Sequence, residues 1–190
     1  AVGHGALDAL TTGQYNVAIG GDSPLGANNT GTRNIAIGNG ALLQPDGEND
    51  NIAIGSDTLT GAVSGGERNI AIGTSAGIAL TSGDNNTFMG YEAGHDVTTS
   101  ANNVYIGGYA GDRGVDGDGN ICVGYEADLT GTDQTNAIAL GYNIQAQGSH
   151  FSFGKASNVV TNQFSSDANW SRSSDVRKKR EIYDQGLGLD

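Results

Sequence analysis

The pentapeptide Asn-Ile-Ala-Ile-Gly stands intact at Asn34 to Gly38, Asn51 to Gly55 and Asn69 to Gly73, and variants of it recur along most of the 190 residues. Aligned on the closing glycine, the copies end at Gly3, Gly20, Gly38, Gly55, Gly73, Gly90, Gly107, Gly124, Gly141 and Gly154, so every interval is 17 or 18 residues except the last, of 13. A fixed period this short marks a solenoid, in which each unit buries its apolar face only by stacking on its neighbours. The expected organisation is a repeat shaft over 1–154, a connector over 155–173 and the start of a different unit over 174–190. Function in such a molecule is expected on a surface more than in a single cleft. The chain opens part-way through a repeat, at Ala1-Val2-Gly3, which predicts a piece of a longer protein.

Within a repeat, large apolar and small residues alternate, as in Ile35, Ala36, Ile37 and Gly38. Period two predicts a strand. Stacked in register, the copies give two β-branched columns, one through Ile35, Ile52 and Ile70 and one through Ile37, Ile54 and Ile72. These columns are expected to fill the parallel core. The column between them, Ala18, Ala36, Ala53, Ala71, Phe88, Tyr105, Cys122 and Ala139, is almost never charged. It is expected to face a neighbouring chain, near the axis of a parallel homotrimer, because a lone rod would expose it as an apolar seam. Asn34, Asn51, Asn69, Asn103 and Asn120 precede the strands, where Asn tolerates left-handed backbone and can bond its counterparts in adjacent rungs. Gly38, Gly55, Gly73, Gly107 and Gly124 close the strands, with positive φ expected. The small or apolar residues that follow, as in Gly40-Ala41-Leu42, predict a second short strand per rung. At the parallel strand spacing the shaft would be roughly 45 Å long.

Thirty-two glycines and two prolines in a strictly periodic chain predict ordered tight turns and little helix. Residues 1–171 carry net charge −13, whereas 172–190 carry +1. An acidic shaft is a poor nucleic-acid binder, since phosphate contacts need Lys and Arg. Its charge instead keeps a long rod soluble. No signal peptide or membrane-spanning run is visible, so neither membrane insertion nor nucleic-acid binding is expected. The lone Cys122 excludes an intrachain disulfide and reads as a small core residue.

The Asn-Ile-Ala-Ile-Gly copies resemble the head repeats of trimeric autotransporter adhesins and the similar repeats in bacteriophage tail-fibre shafts. The resemblance spans 1–154 and implies a left-handed parallel β-roll trimer. The period departs from the somewhat shorter repeat common in adhesin heads, which leaves an intertwined triple β-helix as the alternative architecture.

Beyond Lys155 the period is lost, and Ser174-Asp175 followed by Lys and Arg reads as an N-cap and a short helical C-terminal tail, with Gly186 ending it. The stretch Ser174-Asp175-x-Arg177-x-Lys179 also resembles the opening of the intramolecular chaperone domain at the C-terminus of phage endosialidases and tail fibres. That resemblance implies self-cleavage between Ser173 and Ser174, with Ser174 as nucleophile, Lys179 as its base and Asp175 in the same motif. Lys can act so when burial lowers its pKa. The domain normally needs many more residues than the 16 after Ser174, so no multiple-turnover activity is expected.

Other candidates are weaker. Asp116-x-Asp118-x-Asn120 lacks the glycine and the terminal acid of an EF-hand, whose positions hold Ile121 and Ala127, so it reads as a turn. His4, His95 and His150 show no partner at metal spacing, and neither metal nor cofactor is expected. Tyr91, Tyr105, Tyr109, Tyr125 and Tyr142 either stack on sugars or pack a wider rod. Together these features predict a structural tail-fibre protein of the virion, a trimeric shaft for host attachment. Its partners would be itself, other tail proteins and a host-surface receptor such as a glycan. A bacterial surface adhesin head is the alternative, and a tailspike depolymerase a further one, which would need paired carboxylates in a groove.

Overall fold

Each copy of the pentapeptide puts its three central residues into a strand and its glycine into the turn that follows. In a computed structural model, which describes residues 1–26, 30–43, 47–61, 65–114 and 116–165, the chain is an all-β solenoid of about eight turns. The strands are β1 (Val17–Ile19), β2 (Ile35–Ile37), β3 (Ile52–Ile54), β4 (Ile70–Ile72), β5 (Thr87–Met89), β6 (Val104–Ile106) and β7 (Ile121–Val123). They continue as β8 (Asp128–Leu129), β9 (Ile138–Tyr142), β10 (Gln145–Ala146), β11 (His150–Lys155) and β12 (Asn158–Gln163). β1 to β7, β9 and β11 stack in that order as one parallel sheet, with Ile35 on Ile52 on Ile70 as the sequence columns predict. Each rung is closed by its own chain. β12 then folds back antiparallel on β11, pairing His150 with Gln163 and Lys155 with Asn158, so the sheet runs past the last repeat and the parallel stacking stops. No helix occurs among the described residues, and the expected C-terminal helix lies outside them.

The two faces of the strands are reversed from expectation. Ala18, Ala36, Ala53, Ala71, Phe88, Tyr105, Cys122 and Ala139 are fully buried within their own chain, while the flanking columns lie at its surface. Val17 and Ile19 are each 41 % exposed, and Ile106, Val123 and Phe153 lie between 36 and 40 %. The reason is space. A rung of 17 residues encloses a narrow interior, already holding Leu25, Leu42 or Leu59 from the opposite turn and an asparagine from the corner. Only a small strand residue fits beside them. The alanine column is therefore each chain's own core and is not available to a neighbour.

The interior also shows why two alanines become aromatic. In the rungs with Ala36 and Ala53 the residue six positions on is Leu42 and Leu59, whereas with Phe88 and Tyr105 it is Gly94 and Gly111. A Cβ added at Gly94 or Gly77 would come within 2.7 Å of the Phe88 ring, and one at Gly111 would collide with Tyr105. Bulk has moved from turn to strand at nearly constant volume. The Phe88 and Tyr105 rings stack on each other, 5.6 Å between centroids. Among the described residues the buried Tyr105 hydroxyl finds no hydrogen-bond partner, and burial pushes its pKa far above that of an ordinary phenol.

Asparagine ties the rungs together. The side-chain oxygen of Asn34 accepts from the Asn51 backbone N–H at 2.9 Å, Asn51 from Asn69 at 2.8 Å, Asn69 from Asn86 at 2.9 Å and Asn103 from Asn120 at 2.8 Å. The side-chain NH₂ of Asn34 donates onward to the Glu48 carbonyl and that of Asn69 to the carbonyl of Gly83, while that of Asn103 donates back to Asn86 Oδ1 at 3.3 Å. The rung-to-rung bonding matches expectation, but the left-handed backbone sits one residue earlier, at Arg33, Asp50, Arg68, Asn85 and Asn102. The closing glycines do take positive φ, 136° at Gly55, where an added Cβ would lie 2.7 Å from the Gly73 carbonyl.

The expected second strand is a turn in most rungs. Gly40 and Leu42 both take positive φ, 61° and 51°, which an extended segment cannot contain. These turns still stack by hydrogen bonds, Leu25 N–H to Ala41 and Leu42 N–H to Thr58. Only β8 and β10, paired in parallel, are extended there.

Two stability measurements follow. Phe88→Ala should cost about 3–5 kcal/mol by chemical denaturation, the range for truncating a buried aromatic. Adding Gly94→Leu, which alone clashes, should recover part of that loss in a double-mutant cycle; strictly additive effects would refute the volume exchange. Asn69→Ala strands the Asn86 N–H and the Gly83 carbonyl, and each buried orphan should cost about 1–3 kcal/mol. An unchanged midpoint would show that the ladder adds nothing to stability.

Candidate binding surface

Residues that share a position in successive rungs become neighbours on the outside of the solenoid, so a surface here is a set of ladders. At the corner before the strands, Arg33 pairs with Asp50 through two bonds of 2.6 and 2.8 Å, and Arg68 meets Glu67, Asp84 and Asn85. These pairs are exposed. The hydrogen bond to Arg33, then its charge, holds the Asp50 carboxyl below the usual range, yet exposed pairs of this kind add little stability.

Beside the outer isoleucine column runs a tyrosine ladder. Tyr91 and Tyr109 meet edge to face at 5.3 Å, as do Tyr109 and Tyr125 at 5.9 Å, while Tyr125 and Tyr142 stack at 5.5 Å. The Lys155 ammonium caps the row, 5.6 Å from the centre of the Tyr142 ring. Gly108 takes the place after the closing glycine that Tyr91, Tyr125 and Tyr142 hold elsewhere, and Tyr109 bridges the gap from the next residue. The rings pack on one another but remain accessible, Tyr91 and Tyr142 at 49 % and Tyr125 at 44 %. A hydrogen bond to Glu92 pushes the Tyr91 phenol up to about 12, so it stays protonated throughout the neutral range. Tyr105 stands apart from this row, inside the core.

Where the turn form gives way to β8 and β10, the side of the solenoid steps inward and opens a cleft of about 330 Å³. The turn above supplies Tyr109, Asp112 and Arg113, the next rung Tyr125, Glu126 and Asp128, and the one below Asn143 and Gln145. Asp128 forms the floor and is 7 % exposed; its Oδ1 accepts from the Leu129 and Arg113 backbone N–H groups at 2.8 and 3.2 Å. Its other oxygen lies 3.6 Å from the Arg113 guanidinium. Burial raises the pKa of Asp128 despite these donors, and burial together with the Asp96 charge raises that of Asp112. The arrangement offers fixed acceptors on the floor and wall, with amide and guanidinium donors on the rim.

Asp112 also belongs to the one set of side chains among the described residues with the geometry to hold a metal. Ligand atoms of His95, Asp96 and Asp112 lie within 4.8 Å of one another, and His95 contacts Asp96 at 2.7 Å. Sequence reading gave His95 no partner at metal spacing, but Asp96 adjoins it and Asp112 lies one period on. The periodicity itself was the available signal. The Asp116, Asp118 and Asn120 group is instead spent on the preceding rung. Asp116 accepts from Thr98 and Thr99, Asp118 from the Ala101 N–H, and Asn120 belongs to the asparagine ladder. Cys122 is buried beside Asp128, and desolvation first, then that charge, pushes its thiol up and out of reach of neutral-pH reactivity. Ser174, Asp175 and Lys179 lie outside the described residues.

The raised carboxyls have a pH signature. A folded-state pKa above the unfolded value means that the fold binds the proton more tightly. The stabilisation is full below the ordinary aspartate value of about 3.9 and is lost as pH climbs through the raised folded value. Hydrogen exchange over 111–129, corrected for intrinsic rates, should therefore show more protection in mild acid than at pH 7. Asp128→Asn should flatten that difference, and a variant with the wild-type pH dependence would clear Asp128 of it. Comparison with protein-family models, curated proteins and solved structures finds no match to the chain.

Proposed function

We propose that the chain is the shaft of a homotrimeric attachment fibre, of the kind found in bacteriophage tails, whose job is to span from a particle to a host surface and hold on. The observation that carries this reading is the pair of outward apolar columns. One runs from Val17 through Ile35, Ile52 and Ile70 to Val104 and Ile121, the other from Ile19 through Ile37, Ile54 and Ile72 to Ile106 and Val123, all half-buried or exposed along one face. Soluble chains seldom leave so long an apolar seam to water. Three copies set side by side, with these columns meeting at a common axis, would bury it. Isoleucine thus takes the intersubunit role first expected of alanine.

The trimer gives the rod stiffness, hides its most adhesive face and presents every outer feature three times, so weak contacts gain avidity. The tyrosine ladder and the cleft leave attachment chemistry available on the flanks. No turnover chemistry is required of the shaft. Self-cleavage before Ser174, using Lys179 and Asp175, belongs to a precursor that carries a complete chaperone domain.

Sedimentation equilibrium at micromolar concentration should return about three times the 19.3 kDa chain mass. Ile37→Glu with Ile54→Glu should reduce it to that of a single chain while the β-rich circular dichroism persists, because those side chains point away from each chain's own core. A monomeric wild type would end the fibre reading.

A further inference from the structure

We infer that the cleft between the turn at 109–113 and β8 binds a single uncharged sugar unit of a surface glycan; this deepens the attachment reading above and rests on it. The size is the first argument. At about 330 Å³ the cleft is at the small end of ligand pockets, which run about 300–1,000 Å³. It has room for one ring and not for a folded peptide segment.

The second argument is the distribution of donors and acceptors. A sugar hydroxyl both donates and accepts, so neighbouring hydroxyls are best met by carboxylates alternating with amides or a guanidinium. The cleft is built that way. The Asp112 and Asp128 carboxylates accept, the exposed Arg113 guanidinium, 3.6 Å from Asp128 Oδ2, donates, and Asn143 and Gln145 on the rung below do both. Asp128 is held rigid by its two backbone donors, and Asp112 by its place in a turn that hydrogen-bonds to the next rung, Gly111 N–H to the Ala127 carbonyl at 2.9 Å. Such preorganisation lowers the cost of binding a polar ligand. Tyr125 supplies an aromatic wall at the mouth, 44 % exposed although its ring packs against Tyr109 and Tyr142.

Charge then selects among sugars. Three acids against one arginine leave the lining at net −2, in a chain that carries −12 overall. A sialic or uronic acid would bring a carboxylate against Asp112 and Glu126, so acidic glycans are excluded and neutral hexoses or N-acetylhexosamines are accepted. Each site is small and shallow, and useful attachment comes from the several copies on one fibre.

The test is a glycan array probed with the full 190-residue chain, followed by titration of the best hit in calcium-free buffer with chelator. The expected result is binding to neutral glycans and none to sialylated or uronate-bearing ones. Asp112→Asn and Gln145→Ala should each weaken it at least tenfold without changing the sedimenting mass. Gln145 is exposed and Asp112 half-buried, and the unchanged sedimenting mass with wild-type circular dichroism checks that both variants fold. Preference for acidic glycans, dependence on added divalent cation through His95, Asp96 and Asp112, or wild-type affinity in both variants would each overturn the proposal. Because the mass is measured on the same samples, trimers that bind no glycan would reject the cleft and spare the fibre, whereas monomers would reject the fibre.

Discussion

The narrowness of a 17-residue rung governs everything else in this molecule. Its interior holds an asparagine, one strand side chain and the buried side chains of the opposite turn, Ala41 and Leu42 in one rung and Ala93 and Val97 in another. Ala36 and Ala53 go with leucine six positions on and Phe88 and Tyr105 with glycine, while Ala71 goes with Gly77, which lies against the Phe88 ring. The asparagine fills the corner and converts it into a hydrogen-bonded spine, as where the Asn51 amide accepts from the Asn69 N–H of the next rung and donates to the Gly66 carbonyl three residues before it. A buried amide that is fully bonded costs nothing to hide and forbids any other register.

A core so small leaves the bulky apolar residues no place but outside. That inversion is unusual, because the isoleucines of β2, β3 and β4 lie at a surface while the alanines between them are fully buried. It also divides the exterior into distinct functional strips. The isoleucine face is a candidate for assembly, the tyrosine row packs ring on ring, and the corner before the strands carries the exposed pairs of Arg33 with Asp50 and of Arg68 with Glu67 and Asp84. The cleft at β8 exists because the regular turn is abandoned there, which is a local break in an otherwise repetitive wall.

Periodicity made much of this legible in the sequence. The strand positions, the register of Ile35 on Ile52, the glycine stops and the bonding of asparagine to asparagine all follow from counting to 17. Three things did not follow. Alternation of large and small residues locates a strand but is silent on which face is inside. The stretch Gly40-Ala41-Leu42 looks extended by composition, yet two positive φ angles make it a turn. The cleft escaped because Asp112, Asp128 and Gln145 lie a rung apart and look like unrelated loop residues until the rungs are stacked. The cluster of His95 with Asp112 was within reach of the same counting, since it spans one period.

By itself, then, the sequence determined a parallel, in-register stack of short strands and which residues lie above which, because in-register stacking depends on repeat length and turn chemistry. The tertiary structure decided what is core and what is surface. That outcome depends on the width of the rung, a distance between walls that no single repeat encodes and that only the closed turn of chain defines.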